Sequence, residues 1–362
     1  ILFLFLILLI INLDKVNLKR EFKLFIPVLL STFIIFYISK YDNWFEIFNL
    51  FNFYFFGLEG GDGSTYLDFT SIIYQSFLNN DLNNFLKGGE NVFYFTPGLR
   101  YFLFFNQIIS GDYYYLYFFF LFFIPKVLLN FLKTQFNPKT SYLIMISFLL
   151  IPIFHHLGFS YYQYIRHAYR LFPEPLGYMF FLVALTMFFK NFKKDYLMMN
   201  LFFAISVFFR PNLIVSVVAV VLTKTIIERI NIFQIKFLVI LFLISLIYLF
   251  PLIHNVYFGD SFTLFTSYGS KILSMENILS KDISFYQERF FSINLVFLLL
   301  ILIPKLNFYF KILLITQYIT IFWFDVNGRY YWIFWLSALI MSLNLIIHKS
   351  NKWLFLKKYT LK

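Results

Sequence analysis

The chain has no cysteine among its 362 residues. That absence excludes disulfides, thiolate metal sites and a cysteine nucleophile, and it leaves the redox compartment unreadable. Charge is also scarce: 13% of residues are Asp, Glu, Lys or Arg, against 60% hydrophobic. With so little charge, and with apolar runs near the ~20 residues that cross a bilayer, the chain reads as a polytopic membrane protein rather than a soluble fold. No GxxxxGK[ST] phosphate loop, internal repeat or low-complexity linker is present, and 1–362 is read as one domain. The net charge of +12 does not indicate nucleic acid, because most Lys lie in short loops between apolar segments, where they set topology.

What the chain does have is aromatic and aliphatic bulk. Its 57 Phe and 27 Tyr, with abundant Ile, Asn and Lys, are what an AT-rich genome encodes, so the aromatic excess carries little functional weight. Apolar segments fall near 1–12, 22–39, 113–131, 140–157, 174–190, 196–209, 211–223, 235–253, 293–304, 306–324 and 330–347. They give an all-α polytopic membrane protein with about eleven transmembrane helices. Ile1 lies inside an apolar run, so the natural N-terminus is expected upstream.

Connections rich in Lys alternate with connections that are not, and the positive-inside rule puts the first set in the cytoplasm. The other set, 40–112, 155–173, the Arg210-Pro211 break, 254–292 and 325–329, then faces outward. Loop 40–112 carries eight acidic residues against three basic ones, as a translocated loop should. Within it 44–57, 64–78 and 97–109 are too short or too polar to span, and are expected as interfacial helices, the last opened by Pro97 and closed near Gly111.

The residues able to do chemistry lie in those outer loops. In "EGGDGSTYLDF", residues 59–69, glycines permit close approach of a ligand and Asp62 stands at a helix start. The same loop offers Glu90, an aromatic floor that includes Tyr94 and Tyr101, and Arg100. Arg166, His167 and Arg170 follow at helical spacing and form an outer anion site, and Glu174 stands between two prolines at a helix start. Arg210 before Pro211 interrupts an apolar stretch, and such a break at membrane depth marks a site lined by protein or a cavity. Asp325 and Arg329 bracket a last outer turn before Tyr330, Tyr331 and Trp332. Sugars stack on aromatic faces and phosphates pair with Arg, so a carboxylate, cations and a membrane surface together suit glycosyl transfer from a lipid-phosphate donor. His155 and His156 do not converge on one helix face, and no cofactor is indicated; a divalent metal stays open.

The order "GGDGSTY", then "NDLNNFLKGGENVFYFTPGLRYFLFFNQIISGD", then a span resembles the first periplasmic loop of the GT-C superfamily of integral-membrane glycosyltransferases. It is most similar to the branch of lipid A aminoarabinose transferases and protein O-mannosyltransferases, over residues 59–112. The resemblance implies a bacterial cytoplasmic (inner) membrane protein with its active site outside, and a polyprenyl-phosphate-linked sugar as donor. The acceptor would be a lipid, glycan or protein hydroxyl. Asp62 matches the branch's catalytic base, and "FRPN" and "GRYYWIFW" resemble stretches whose Arg contacts polyprenyl phosphate. Where the branch often carries an acid and a base before its Pro, this chain reads Phe95-Thr96-Pro97, so a second carboxylate falls to Glu90 or Glu174. The expected site is therefore Asp62 and Glu174 for catalysis, Arg100, Arg166, Arg170, Arg210 and Arg329 for phosphate, and Tyr94, Tyr101, His167 and Glu90 for sugar or acceptor. Two alternatives remain: an O-antigen-type ligase or polymerase centred on His254 and Arg289 of a late outer loop, and a transporter of lipid-linked saccharides.

Overall fold

The computed structural model describes residues 62–113, 115–150, 161, 164, 167–168, 170–229, 235–264, 279–284, 297–322 and 332–360. Among the described residues there are eleven α-helices and no strand. The expected segments 1–12, 22–39 and 44–57 lie outside them, and of 293–304 only 297–304 is described, with a 3-10 turn at Leu299–Leu302.

Helices α1 (Asp62–Leu78), α2 (Leu82–Lys87) and α3 (Pro97–Ser110) come from the segment expected as the first outer loop. Next come α4 (Tyr115–Gln135) and α5 (Pro138–Leu150), where Asn137 accepts the Thr140 amide at 3.0 Å and so caps a helix that begins on proline. Then follow α6 (Glu174–Lys190), α7 (Tyr196–Phe209), α8 (Ile214–Ile227), α9 (Ile235–Gly259), α10 (Phe308–Phe322) and α11 (Trp332–Thr360). α7 has the limits expected from its sequence, because Pro211 has no amide to continue the ladder and the chain passes through a 3-10 turn at Pro211–Leu213.

Tyr115–Gln135 and Leu238–Gly259 are long and apolar enough to cross a membrane, while Tyr196–Phe209, Pro211–Ile227 and Trp332–Ile347 are apolar but shorter. Only 22% of the Leu238–Gly259 window is buried, against 56% of that in Tyr115–Gln135, so α9 presents mostly apolar side chains outward. Val239, Phe242, Leu243 and Ile253 are among those exposed.

The core is built around α6, which packs most extensively on α7 and also on α4. Phe102 of α3, Phe120 of α4, Phe180 of α6 and Phe209 of α7 form an aromatic ring of contacts, with centroids 5.8 Å (102–120), 6.3 Å (120–180), 5.8 Å (180–209) and 5.9 Å (102–209) apart. Each such pair adds about 0.5–1.5 kcal/mol beyond its buried area.

α6 separates two chemically different poles. At its C-terminal pole Lys224 donates to the Phe188 carbonyl and lies 4.3 Å from the centre of the Phe188 ring and 4.7 Å from that of Phe192. Lys193 meets Glu228 at 3.5 Å beside it. At its N-terminal pole lie Glu174, Arg210 and the ends of α1 and α3. Seventeen helical residues place these poles about 25 Å apart.

Candidate functional site

α1 begins at Asp62, two residues before the expected helix at 64–78. Tyr66 follows Asp62 by four residues and therefore stands on the same face, about 6 Å along the axis. Asp62 is partly exposed and Asp68 exposed, whereas Tyr66 is buried. The Tyr66 hydroxyl meets Thr96 Oγ1 at 2.8 Å and accepts the Thr96 amide at 3.3 Å. Thr96 is the N-cap residue of α3 and spends no side-chain bond on its own helix. Burial pushes the Tyr66 hydroxyl well above the usual phenol range, with the Thr96 bond and the Arg100 and Arg210 charges opposing and Glu174 adding to it. Tyr66 is thus a neutral hydroxyl within electrostatic reach of both arginines.

α3 is brought against α7 by Gly98. A Cβ at that position would stand 2.5 Å from the Phe208 carbonyl oxygen and 2.9 Å from Phe209 Cα, so only glycine permits this approach. The next residue after Phe209 is Arg210, where the backbone has left the helix (φ −137°, ψ 86°). Its stem lies over the first turn of α6, where a Cβ at Gly177 would stand 2.6 Å from Arg210 Cγ. Its Nη1 reaches Glu174 Oε1 at 3.3 Å, with the two side chains 9% and 2% exposed. Four separate stretches, "DGSTY", "FTPGLR", "FPEPLG" and "FFRPN", thus supply residues to one pole.

Arg100 belongs to the same loop but faces elsewhere. It is fully buried and donates to Gly88 O at 3.0 Å, to Glu90 Oε2 at 2.9 Å and to Phe95 O at 3.1 Å. Its guanidinium also lies 4.4 Å from the centre of the Phe69 ring and 4.8 Å from that of Phe93. Burial pushes the Glu90 carboxyl above its ordinary range, while Arg100 and the Tyr94 amide pull against that shift. The geometry makes Arg100 and Glu90 the internal brace of the 88–95 loop, with their polar atoms directed into it.

The remaining expected residues divide. Tyr94 is exposed and able to meet a ligand, but Tyr101 is buried, its hydroxyl shared between the Phe85 carbonyl at 3.2 Å and the Leu86 carbonyl at 2.8 Å. His167 is buried with its ring 5.5 Å from Phe172, and Arg170 is partly exposed in the segment leading into α6. Arg166, Arg289 and Arg329 lie outside the described residues. α3 also differs from a helix lying flat on a surface. Residues 97–104 and Asn106 are buried, and only its C-terminal end exposes Phe105, Ile108 and Ile109.

Sequence reasoning missed the roles of His254 and Asn255. The His254 ring stacks on Phe93 with centroids 3.3 Å apart, and its Nε2 lies 3.0 Å from the Lys87 carbonyl. Asn255 accepts the Phe93 amide at 3.2 Å and donates to Thr263 O at 3.0 Å. The C-terminal end of α9 is therefore a clamp on the 88–95 loop. The adjacent His and Asn at a helix end were visible in the sequence; their partner, 162 residues away, was not.

Among the described residues no group of three or more His, Cys, Asp or Glu is arranged to hold a metal ion. What the fold and site define is a helical protein, at least two of whose helices can cross a membrane, with acidic and guanidinium side chains gathered at one pole. No protein-family model, curated protein or solved structure matches the chain.

Proposed function

We propose that the chain is a polytopic membrane glycosyltransferase that moves a sugar from a polyprenyl-phosphate donor to a hydroxyl acceptor at the outer face of a bacterial cytoplasmic membrane. The observation that carries this reading is the gathering of Tyr66, Thr96, Glu174 and Arg210 at one pole, with Asp62 one turn before Tyr66 on α1. They are a carboxylate, two hydroxyls and an ion pair set above an aromatic floor of Phe102, Phe120, Phe180 and Phe209. The second support is α9, whose exposed apolar side chains are suited to lipid, as the donor's chain requires.

In this mechanism Asp62 takes the proton from the acceptor hydroxyl as its oxygen forms a bond to the anomeric carbon. The bond from that carbon to the phosphate oxygen breaks with inversion, and polyprenyl phosphate departs with the electron pair. A positioned general base contributes about 10²–10⁴-fold, and preorganised cations at the leaving phosphate a comparable factor. Asp62→Asn, nearly isosteric and at a partly exposed position, should insert and fold normally yet lose transfer by about 10²-fold or more. The check is radiolabel transfer in membranes with a panel of polyprenyl-phosphate sugars and a native lipid extract; full activity in the Asn variant removes Asp62 as the base. The ligase or polymerase alternative gains nothing from His254, whose ring is committed to Phe93 and the Lys87 carbonyl.

A further inference from the structure

The C-terminal pole of α6 carries positive charge that the site at the other pole does not use. Three helix ends meet there. The Lys224 ammonium of α8 caps the Phe188 carbonyl of α6, the Phe188 ring lies 5.0 Å from that of Tyr309 at the start of α10, and Phe189 stacks on Phe310 at 5.1 Å. Around this junction stand Lys190, Lys193 and Lys194 at and just beyond the end of α6, Arg229 just past α8, and Lys305 and Lys311 at the start of α10. All six are exposed except Lys311, which is partly so. The same stretches hold two acidic residues, Asp195 and Glu228, and Glu228 is taken by Lys193 at 3.5 Å. Lys190, Lys194, Arg229, Lys305 and Lys311 have no acidic partner among the described residues.

A second observation is what lies between the cations. Leu222 and Ile226 share a face on the last turns of α8 and are exposed, as is Ile227, immediately before Arg229. Leu302 and Phe308 are exposed on either side of Lys305. Cations and bare apolar side chains therefore alternate over a few residues on two helices. A nucleic acid or an acidic peptide would match the cations and leave the apolar side chains in water. A zwitterionic lipid would match the apolar side chains and leave the cations without net counter-charge. A phospholipid with a net negative headgroup matches both, its phosphate meeting Lys and Arg and its acyl chains the apolar side chains one turn away.

We propose that the junction of the α6, α8 and α10 ends is a docking surface for anionic phospholipid headgroups, which gather there in preference to zwitterionic ones. The inference goes beyond sugar transfer. It concerns the end of α6 away from Glu174, and it requires only that the apolar helices cross a membrane. Lys224 serves the surface from beneath: buried among Phe188, Phe192 and Tyr309, it ties the three ends together and so keeps the exposed cations at a common height. The attraction is collective, since each Lys or Arg near an anionic surface adds its own increment.

The chain has no cysteine, so a single introduced one labels cleanly. Ile226→Cys at the junction and Ile253→Cys near the clamped end of α9, both exposed positions, would each carry a fluorophore in the full chain reconstituted in lipid nanodiscs. Brominated phosphatidylglycerol and brominated phosphatidylcholine, at equal mole fraction, then report which lipid stands beside each probe. The Ile226 probe should be quenched at least about threefold more by the anionic lipid, and the Ile253 probe equally by both. The preference at Ile226 should fall towards one at about 0.5 M salt. It should fall likewise in the triple variant Lys190→Gln, Arg229→Gln, Lys305→Gln, whose exposed positions leave folding intact. Equal quenching of the Ile226 probe by the two lipids overturns the inference, as does an equal preference at Ile253, a preference that survives both salt and the triple variant, or no quenching by either lipid. A shift of the Ile226 probe by an oligonucleotide, with no preference between lipids, would make the partner a nucleic acid and overturn it too.

Discussion

Arg100 and Arg210 both meet a glutamate out of water, and yet they are built differently. The Arg100 guanidinium touches Glu90 at 2.9 Å and is completed by two backbone carbonyls and two aromatic faces, all from its own loop or from α1. Arg210 meets Glu174 at 3.3 Å where the end of α7 comes beside the start of α6. Arg100 braces one loop from within, whereas Arg210 joins two helices. Equal burial, 0% and 8% of the two residues exposed, therefore does not imply equal purpose.

Substitutions that strike one pair and spare the other test this contrast. The largest effect is expected from Arg100→Leu, which leaves Glu90 mostly buried without its counter-charge and frees the carbonyls of Gly88 and Phe95. Loss of about 3–5 kcal/mol is expected, read as a fall in thermal unfolding temperature in detergent. If Arg210→Leu destabilises the protein by as much, the two pairs are alike and the distinction fails. Gly98→Ala comes next, since its methyl would meet the backbone of Phe208 and could not be relieved by a rotamer change; a cost of about 1–3 kcal/mol is expected in the same melt. Gly177→Ala meets Arg210 Cγ at 2.6 Å, which a rotamer change can move, and the backbone-fixed Arg210 Cβ at a milder 3.2 Å, so it should cost less than Gly98→Ala in the same melt. Its signature should be altered affinity for polyprenyl phosphate.

The smallest effect concerns the support of the Arg100 loop. Asp81 caps α2, accepting from the Asn84 amide at 3.0 Å and the Asn84 side chain at 2.6 Å, and these bonds hold its carboxyl below the ordinary range. A carboxyl depressed in the folded state contributes stability that is present above its ordinary value and is lost as pH falls through the folded one. Asp81→Asn keeps a capping oxygen and removes the titration. Hydrogen exchange of α2 should therefore speed up below about pH 4 in the wild type and change little with pH in the variant.

Much of this was legible in local sequence. The limits of α7 follow from an apolar run stopped by Arg210-Pro211, and α3 from Pro97 at its start and Gly111 at its end. That α3 is buried along most of its length was not legible, because a stretch holding Arg100 and Asn106 among apolar residues reads as amphipathic. The partners of the charges were not legible. The short connection 191–195 makes α6 and α7 antiparallel neighbours and so brings the Glu174 and Arg210 ends together, but it does not state that the two side chains meet. Nothing local states the pairing of Tyr66 with Thr96, 30 residues apart, or of Asn255 with Phe93. Composition located the cations; packing gave them their partners.

The clamp at the end of α9 also fixes a height. With 25 residues α9 is about 37 Å long, and a hydrocarbon core is about 30 Å thick, so a helix crossing it carries roughly its last turn and a half clear of the acyl chains. That last stretch begins at His254 and Asn255, which hold Lys87 and Phe93. In the membrane arrangement proposed above, α9 would be a gauge of fixed length, holding the loop braced by Arg100 just above the lipid, level with the phosphates rather than among the tails. Removing four residues from the middle of α9 would draw that loop inward by about 6 Å, the depth of a headgroup, with every contact of the loop itself intact.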